Sequence, residues 1–220
     1  MIPLKDVIPS RTAPIVTISL IVVFALAFLL QQTISPADRE RLIASFGLVP
    51  AFFSFGNVLT SMFVHAGFAQ LGANLLYLWI FGENVEDRLG HGRFLVFYLA
   101  AGVVAGLTQT GMDHSATTPI VGASGAVAGV MGGYFMLYRQ SRVLTLLPFP
   151  LTVFEVPAVF FLALWFLVQF LIGLASQAYG SGGPPGGVAF WGQVTGFLTG
   201  VVLVRPMQRP ERQRVEWWSP

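Results

Sequence analysis

The sequence predicts an all-α, polytopic membrane protein with six transmembrane helices. Of its 220 residues, 55% are apolar and only 10% are charged, a balance outside the usual range of soluble domains. Six segments approach the roughly 18–20 mainly apolar residues that cross a bilayer. We number them spans one to six: residues 13–30, 71–85, 94–112, 119–138, 156–174 and 187–204.

The distribution of lysine and arginine predicts the orientation. Ten of these residues fall on the side of the membrane that holds both termini, and only Arg39 and Arg41 fall on the other. By the positive-inside rule, both termini face the cytoplasm. We therefore expect a cytoplasmic tail at 1–12, a membrane domain at 13–205 and a basic cytoplasmic tail at 206–220, in a bacterial plasma membrane. Trp217 and Trp218 in the basic tail indicate contact with lipid headgroups, and nothing indicates nucleic acid binding.

Glycines at four-residue spacing predict that two spans pack together. Such spacing puts small residues on one helix face, where helix backbones approach closely in lipid. Contact between spans four and six would bring Gln193 near Ser124. The stripes are Gly125, Gly129 and Gly133 on span four, and Gly192, Gly196 and Gly200 on span six.

Polar residues inside the spans are the candidates for function, because polar side chains are costly in lipid. Gln70 and Asn74 are four residues apart, so both amides lie on one face of span two. Together with the backbone N–H of Ser124, they could donate hydrogen bonds to an oxyanion. The alternative is structural: the serine bonds to a carbonyl one turn earlier, and the amides bond between helices.

Five segments together resemble the rhomboid intramembrane serine proteases. The resemblance runs from about residue 13 to residue 205 and covers all six spans in order. It implies the six-helix fold of that family, with both termini in the cytoplasm. The segments are GASG (122–125), HAGFAQLGAN (65–74), FGENVEDRLG (81–90), PAVFFLALWFLVQF (157–170) and AFWGQVTGFLTG (189–200).

The resemblance implies a nucleophile position at Ser124, within a GxSG motif formed with Gly122 and Gly125. The family takes its base from a histidine in span six, and Gln193 occupies that position here. An amide has no group that titrates near neutral pH, so it cannot accept the serine proton.

The family's oxyanion motif is also altered. It reads H-x4-H-x3-N in the family, and this chain has His65, Gln70 and Asn74 at those positions. The first histidine and the asparagine match, whereas glutamine replaces the second histidine. This loss is milder, since an amide N–H still stabilises negative charge. The resemblance further implies that clients enter between spans two and five, with Phe161 and Trp165 as a gate.

The resemblance, with these two substitutions, implies an inactive or strongly impaired protease, that is, a pseudoprotease that binds transmembrane client segments. One alternative is an active serine protease with an unconventional base, such as His114 or a water; His65 and His91 are the only other histidines. A transporter or channel is a third hypothesis, suggested only by the polar residues in the spans. No cofactor or metal is expected, because the chain lacks cysteine and any H-E-x-x-H motif.

Overall fold

The computed structural model describes residues 1–8, 12–112, 114–149, 151–178 and 189–209. Residues 181–187 and the tail tryptophans Trp217 and Trp218 lie outside these ranges. The described chain is mainly helical, as the sequence predicts. Its helices are α1 (Ile15–Thr33), α2 (Pro36–Phe46), α3 (Phe55–Thr60), α4 (Phe68–Leu89), α5 (His91–Met112), α6 (Ser124–Leu137), α7 (Ala158–Ala178) and α8 (Phe190–Met207).

A small antiparallel sheet corrects the all-α prediction. Its strands β1 (Ile2–Asp6), β2 (Arg142–Pro148) and β3 (Leu151–Pro157) lie side by side in that order. The hairpin of β2 and β3 occupies the segment before α7, and β1 pairs with β2 from the other end of the chain. Residues 2–6 are therefore part of the fold, although they lie in the segment predicted as a tail.

Asp6 connects this sheet to the helices. Its buried carboxylate accepts hydrogen bonds from Asn84 Nδ2 at 2.6 Å and from the Tyr134 hydroxyl at 2.9 Å. Burial raises the pKa of the Asp6 carboxyl to about 6, and the bond from Tyr134 opposes this shift. The strand is thus bonded to both α4 and α6, two of the helices that carry the predicted site residues.

The six-span count is not confirmed, and neither is the side on which the termini lie. Three helices in the described ranges are long and apolar enough to cross a membrane: α1, α5 and the Ala158–Ser176 part of α7. A fourth span exists if Phe55–Phe63 and α4, bent by 88°, are counted together. At 1.5 Å per residue, the 14-residue α6 is about 21 Å long, short of an apolar layer of about 30 Å. On its own, α6 is therefore too short to cross such a layer.

The segment between α1 and α4 packs against α5. It consists of α2, α3 and two short 3-10 turns. Four of its phenylalanines are exposed, as is typical of a segment that lies in a membrane interface: Phe46, Phe52, Phe53 and Phe55. Val58 and Met62 are buried instead and contact Gly106 and Gly102 of α5.

Glu86 holds the start of α1 against α4. Its fully buried carboxylate accepts bonds from the backbone N–H of Val16 (2.9 Å) and of Thr17 (2.8 Å), and from the Thr17 hydroxyl (2.7 Å). A carboxylate at this place satisfies N–H groups that the first helical turn leaves free. Helix α1 thus packs against α4, and α4 in turn packs against α6.

Candidate functional site

Ser124 is the first residue of α6, at the point where an irregular segment enters the helix. Gly122 has a φ of 108°, which L side chains rarely adopt. A Cβ on Gly122 would also lie 2.7 Å from Gln70 Nε2. Position 122 therefore requires glycine. In the first turn of a helix, the Ser124 N–H has no intrahelical acceptor, so it remains a donor, as the sequence predicts.

Hydrogen bonds fix the segment before Ser124 on several sides. Leu48 and Ile120 exchange backbone bonds of 2.9 and 2.8 Å, and the Gly122 N–H donates to the Ser61 carbonyl at 2.9 Å. Gln70 Nε2 donates to the Val121 carbonyl at 2.8 Å. The backbone that positions Ser124 is therefore held by three other parts of the chain.

Gln70 and Asn74 both line one cavity, as their spacing on α4 predicts. They differ in how their amides are used. Gln70 accepts from the Ala66 N–H at 2.8 Å and donates to Val121, so it bridges two loops. Asn74 is 5% exposed, and its Nδ2 has no partner in the described ranges. Asn74 is thus the freer of the two donors.

The predicted contact between spans four and six is confirmed. A Cβ on Gly196 would overlap the Gly125 carbonyl oxygen, and one on Gly200 would overlap the Gly129 carbonyl oxygen. Backbones this close leave room only for glycine. The arrangement brings Gln193, 7% exposed, to the same cavity as Ser124. Among the described residues, however, no hydrogen bond joins the two side chains.

The cavity has a volume of about 180 Å³ and is lined by α4, α6, α7 and α8. Four of its lining side chains are carboxamides, from Gln70, Asn74, Gln169 and Gln193, and one is the hydroxyl of Ser124. The only titratable side chain in the lining is Tyr77, which the sequence analysis did not single out. The remaining lining residues are Ala73, Val127, Met131 and Trp165.

The histidines make other contacts. The backbone of His65 exchanges bonds with the Gln31 side chain, and its imidazole packs 5.6 Å from the Phe24 ring. His91 Nδ1 lies 2.6 Å from Glu86 Oε1, near the start of α5. His114 is also absent from the cavity lining. In the described ranges, no group of histidine, aspartate and glutamate side chains could hold a metal ion.

The two residues proposed as a gate differ in position. Trp165 lines the cavity, and its ring lies 6.4 Å from that of Tyr77 on α4. Phe161 is 5% exposed and packs 6.4 Å from the Phe81 ring, away from the cavity lining. The aromatic pair between α4 and α7 at the cavity is therefore Tyr77 with Trp165. A tyrosine one turn after Asn74 is the signal that could have identified it from the sequence.

Comparisons with known proteins match this architecture. Residues 53–209 match the rhomboid domain family. The chain is 33% identical over 118 residues to rhomboid protease GluP of Bacillus subtilis, covering 52% of this chain and 23% of the relative. It is 29% identical over 168 residues to the mitochondrial rhomboid protein 1 of Saccharomyces cerevisiae, covering 73% and 45%. Rhomboid-like protease 3 of Toxoplasma gondii is 30% identical over 120 residues, covering 54% and 45%. The chain thus spans less than half of the length of these relatives.

Proposed function

The chain belongs to the rhomboid family of integral membrane proteins, and we propose that it is a pseudoprotease that binds transmembrane client segments without cleaving them. The observation that carries the proposal is the cavity lining. Ser124 and the proposed oxyanion donors Gln70 and Asn74 line it. Its other polar side chains are the carboxamides of Gln169 and Gln193, the Tyr77 hydroxyl and the Trp165 indole N–H. Serine attack needs a proton acceptor, and none of these groups provides one: an amide does not titrate near neutral pH, a phenol is already protonated there, and an indole N–H only donates.

The geometry around Gln193 supports the same conclusion. An imidazole at this position would be the base in the family, and the glycine contacts between α6 and α8 bring position 193 to the cavity. The Gln193 side chain, however, has no group that accepts the serine proton. In serine proteases, removal of one triad member lowers kcat by several orders of magnitude. We therefore expect the rate of this protein to lie near that residual level.

The alternative is an active intramembrane serine protease with an unconventional base. Its base would be His114 or a water, because the partners of His65 and His91 lie elsewhere and no histidine lines the cavity. A fluorophosphonate probe distinguishes the two proposals, because it labels only an activated serine. Labelling of Ser124 in the unmodified protein would favour this alternative.

A transporter or channel is the least supported alternative. It would use the same polar cavity, but the lining has no charged side chain. Saturable movement of a solute into liposomes containing the protein would be needed to support it.

Client segments are proposed to enter between α4 and α7. The aromatic pair Tyr77 and Trp165 lies at this junction beside the cavity, and Phe160 on the adjoining surface is 69% exposed, which suits contact with lipid. The proposed membrane is a bacterial plasma membrane.

The decisive experiment compares four forms of the full chain with a generic transmembrane substrate in liposomes. They are the unmodified protein, Ser124→Ala, the double variant Gln70→His with Gln193→His, and that double variant with Ser124→Ala. We expect cleavage by the histidine double variant alone. Cleavage by the unmodified protein that disappears in Ser124→Ala would refute the pseudoprotease.

A further inference from the structure

A second space, a groove of about 530 Å³, lies between α1, α2 and residues 60–64. It shares no lining residue with the cavity that contains Ser124. Its walls are mainly apolar and include Leu30 at the end of α1 and Phe46 at the end of α2. These two side chains are 67% and 49% exposed, so the groove opens on the outer surface of the bundle. In an integral membrane protein, such a surface meets lipid.

The polar side chains of the groove are already bonded within the chain. The Gln31 amide donates to the His65 carbonyl and accepts from the His65 N–H, both at 3.2 Å. The hydroxyls of Thr33 and Thr60 donate to backbone carbonyls at 2.8 and 2.7 Å. A polar ligand would compete with these bonds, whereas a hydrocarbon chain forms none. The groove therefore suits an acyl chain.

One basic side chain lies on the same face of α2 as the groove wall. Leu42 and Phe46 line the groove, and Arg39 precedes them at a helical spacing of three and seven residues. Arg39 Nε donates to the carbonyl of Gln31, itself a lining residue, at 2.9 Å. This bond holds the guanidinium beside the groove. Its two terminal nitrogens have no partner in the described ranges and remain donors.

The acidic residues of α2 do not neutralise this guanidinium. The Asp38 carboxylate pairs with Arg41 at 3.2 Å and accepts from the Ser35 hydroxyl at 2.7 Å. Glu40 is exposed and lies two residues before Leu42, so it faces another side of the helix. Positive charge beside an apolar groove complements a molecule with an anionic head and a hydrocarbon chain.

We infer that this groove binds one anionic phospholipid. An acyl chain fills the groove, and the phosphate accepts hydrogen bonds from the terminal nitrogens of Arg39, whose planar fork matches phosphate oxygens. The volume lies within the range of small-molecule sites. The inference goes beyond the proposed client binding, because the groove and the Ser124 cavity are separate and each can be tested alone.

The test uses the full chain in micelles of a neutral detergent, with dioleoylphosphatidylglycerol and dioleoylphosphatidylcholine as probes. The two lipids have the same chains and differ in headgroup charge. Native mass spectrometry counts the bound lipids during a titration and gives an apparent Kd for each. Arg39→Gln removes the charge beside the groove, and Arg41→Gln is the matched control on another face of α2. Arg39→Lys keeps the charge.

A second pair of variants tests the acyl chain. Ala27→Phe places a ring in the groove from α1, and Val22→Phe adds the same ring at an exposed position outside the lining. Leu42→Gln makes the α2 wall polar and provides a second test if Ala27→Phe does not fold. The unfolding midpoint of every variant is measured without lipid, so that loss of binding is separated from loss of fold.

We expect the unmodified protein to bind one phosphatidylglycerol more tightly than phosphatidylcholine. Arg39→Gln should weaken phosphatidylglycerol binding about 5-fold, the contribution of one basic residue at a membrane surface, and leave phosphatidylcholine binding unchanged. Arg41→Gln should have no effect, and Arg39→Lys should retain the preference. Ala27→Phe or Leu42→Gln should weaken binding of both lipids about 10-fold, because the chain loses its space or its apolar contacts. Val22→Phe should bind like the unmodified protein.

Several results would overturn the inference. Equal binding of the two lipids, or equal effects of Arg39→Gln and Arg41→Gln, would refute the headgroup contact. Loss of the preference in Arg39→Lys would show that the bond to Gln31 matters instead of the charge. Unchanged lipid binding in both folded groove variants would place the chain elsewhere. A dimer that persists without lipid and dissociates in Ala27→Phe would show that a second copy of the chain covers the groove.

Discussion

The contact between α6 and α8 makes a quantitative prediction about Gly196. A methyl group added there would overlap the Gly125 carbonyl oxygen and lie 3.0 Å from the Gly125 carbonyl carbon. Both atoms belong to the backbone, so the helices themselves must separate. Overpacking of this kind costs about 1–3 kcal/mol. Replacing glycine by alanine within a helix also contributes a gain of about 1 kcal/mol from helix propensity, so the net loss in Gly196→Ala is about 0–2 kcal/mol.

Gly72 provides the matched control, because nothing lies within 4 Å of a Cβ added at this position of α4. Gly72→Ala should show only the propensity gain of about 1 kcal/mol. The difference between the two variants therefore isolates the packing cost, about 1–3 kcal/mol. The measurement is the free energy of unfolding in mixed micelles, titrated with a denaturing detergent. Equal stability of the two variants would refute the close approach of α6 and α8.

Three further predictions concern the contacts that hold the site. Glu86→Gln should lower the free energy of unfolding by about 2–3 kcal/mol, because the buried carboxylate that accepts three bonds from α1 is lost. Thr17→Val removes only one of these bonds and should lower it by about 1 kcal/mol. Equal losses in the two variants would contradict this ranking. Burial raises the Asp6 pKa to about 6, so docking of β1 is strongest at low pH and weakens as the pH rises through 6. Hydrogen exchange of the Ile2–Asp6 amides should be slower at pH 5 than at pH 7.5 after correction for intrinsic rates, and Asp6→Asn should abolish this difference. Gln70→Leu should speed exchange of the Gly122 amide, because the bond to Val121 is lost, and unchanged exchange would show that Gln70 does not hold this loop.

Local sequence patterns could predict the mainly helical fold, one helix contact and which polar residues share a cavity. The four-residue glycine spacing predicted the contact of α6 with α8, because it puts small residues on one helix face and lets the two backbones approach closely. The spacing of Gln70 and Asn74 likewise predicted that both line one cavity. These predictions succeeded because each depends on the period of a single helix.

Features that depend on distant parts of the chain could not be predicted in the same way. Strand β1 pairs with β2 across about 140 residues of sequence, and no local pattern specifies that partner. The bond from Gln70 to the Val121 carbonyl could not be predicted for the same reason, because Val121 is far from Gln70 in the sequence. The sequence predicts the same oxyanion role for Gln70 and Asn74. In the structure, Gln70 bridges Ala66 and Val121, whereas Asn74 Nδ2 has no partner among the described residues.

This difference between Gln70 and Asn74 decides which amide donors would be available to an oxyanion if a histidine were restored at position 193. A cavity that has lost selection for catalysis need not keep an unpartnered donor, since burying one costs about 1–3 kcal/mol. Asn74 Nδ2 is nevertheless buried and without a partner among the described residues. If a base were restored at position 193, this donor would be free to bond an oxyanion, whereas the Gln70 amide is already bonded at both ends.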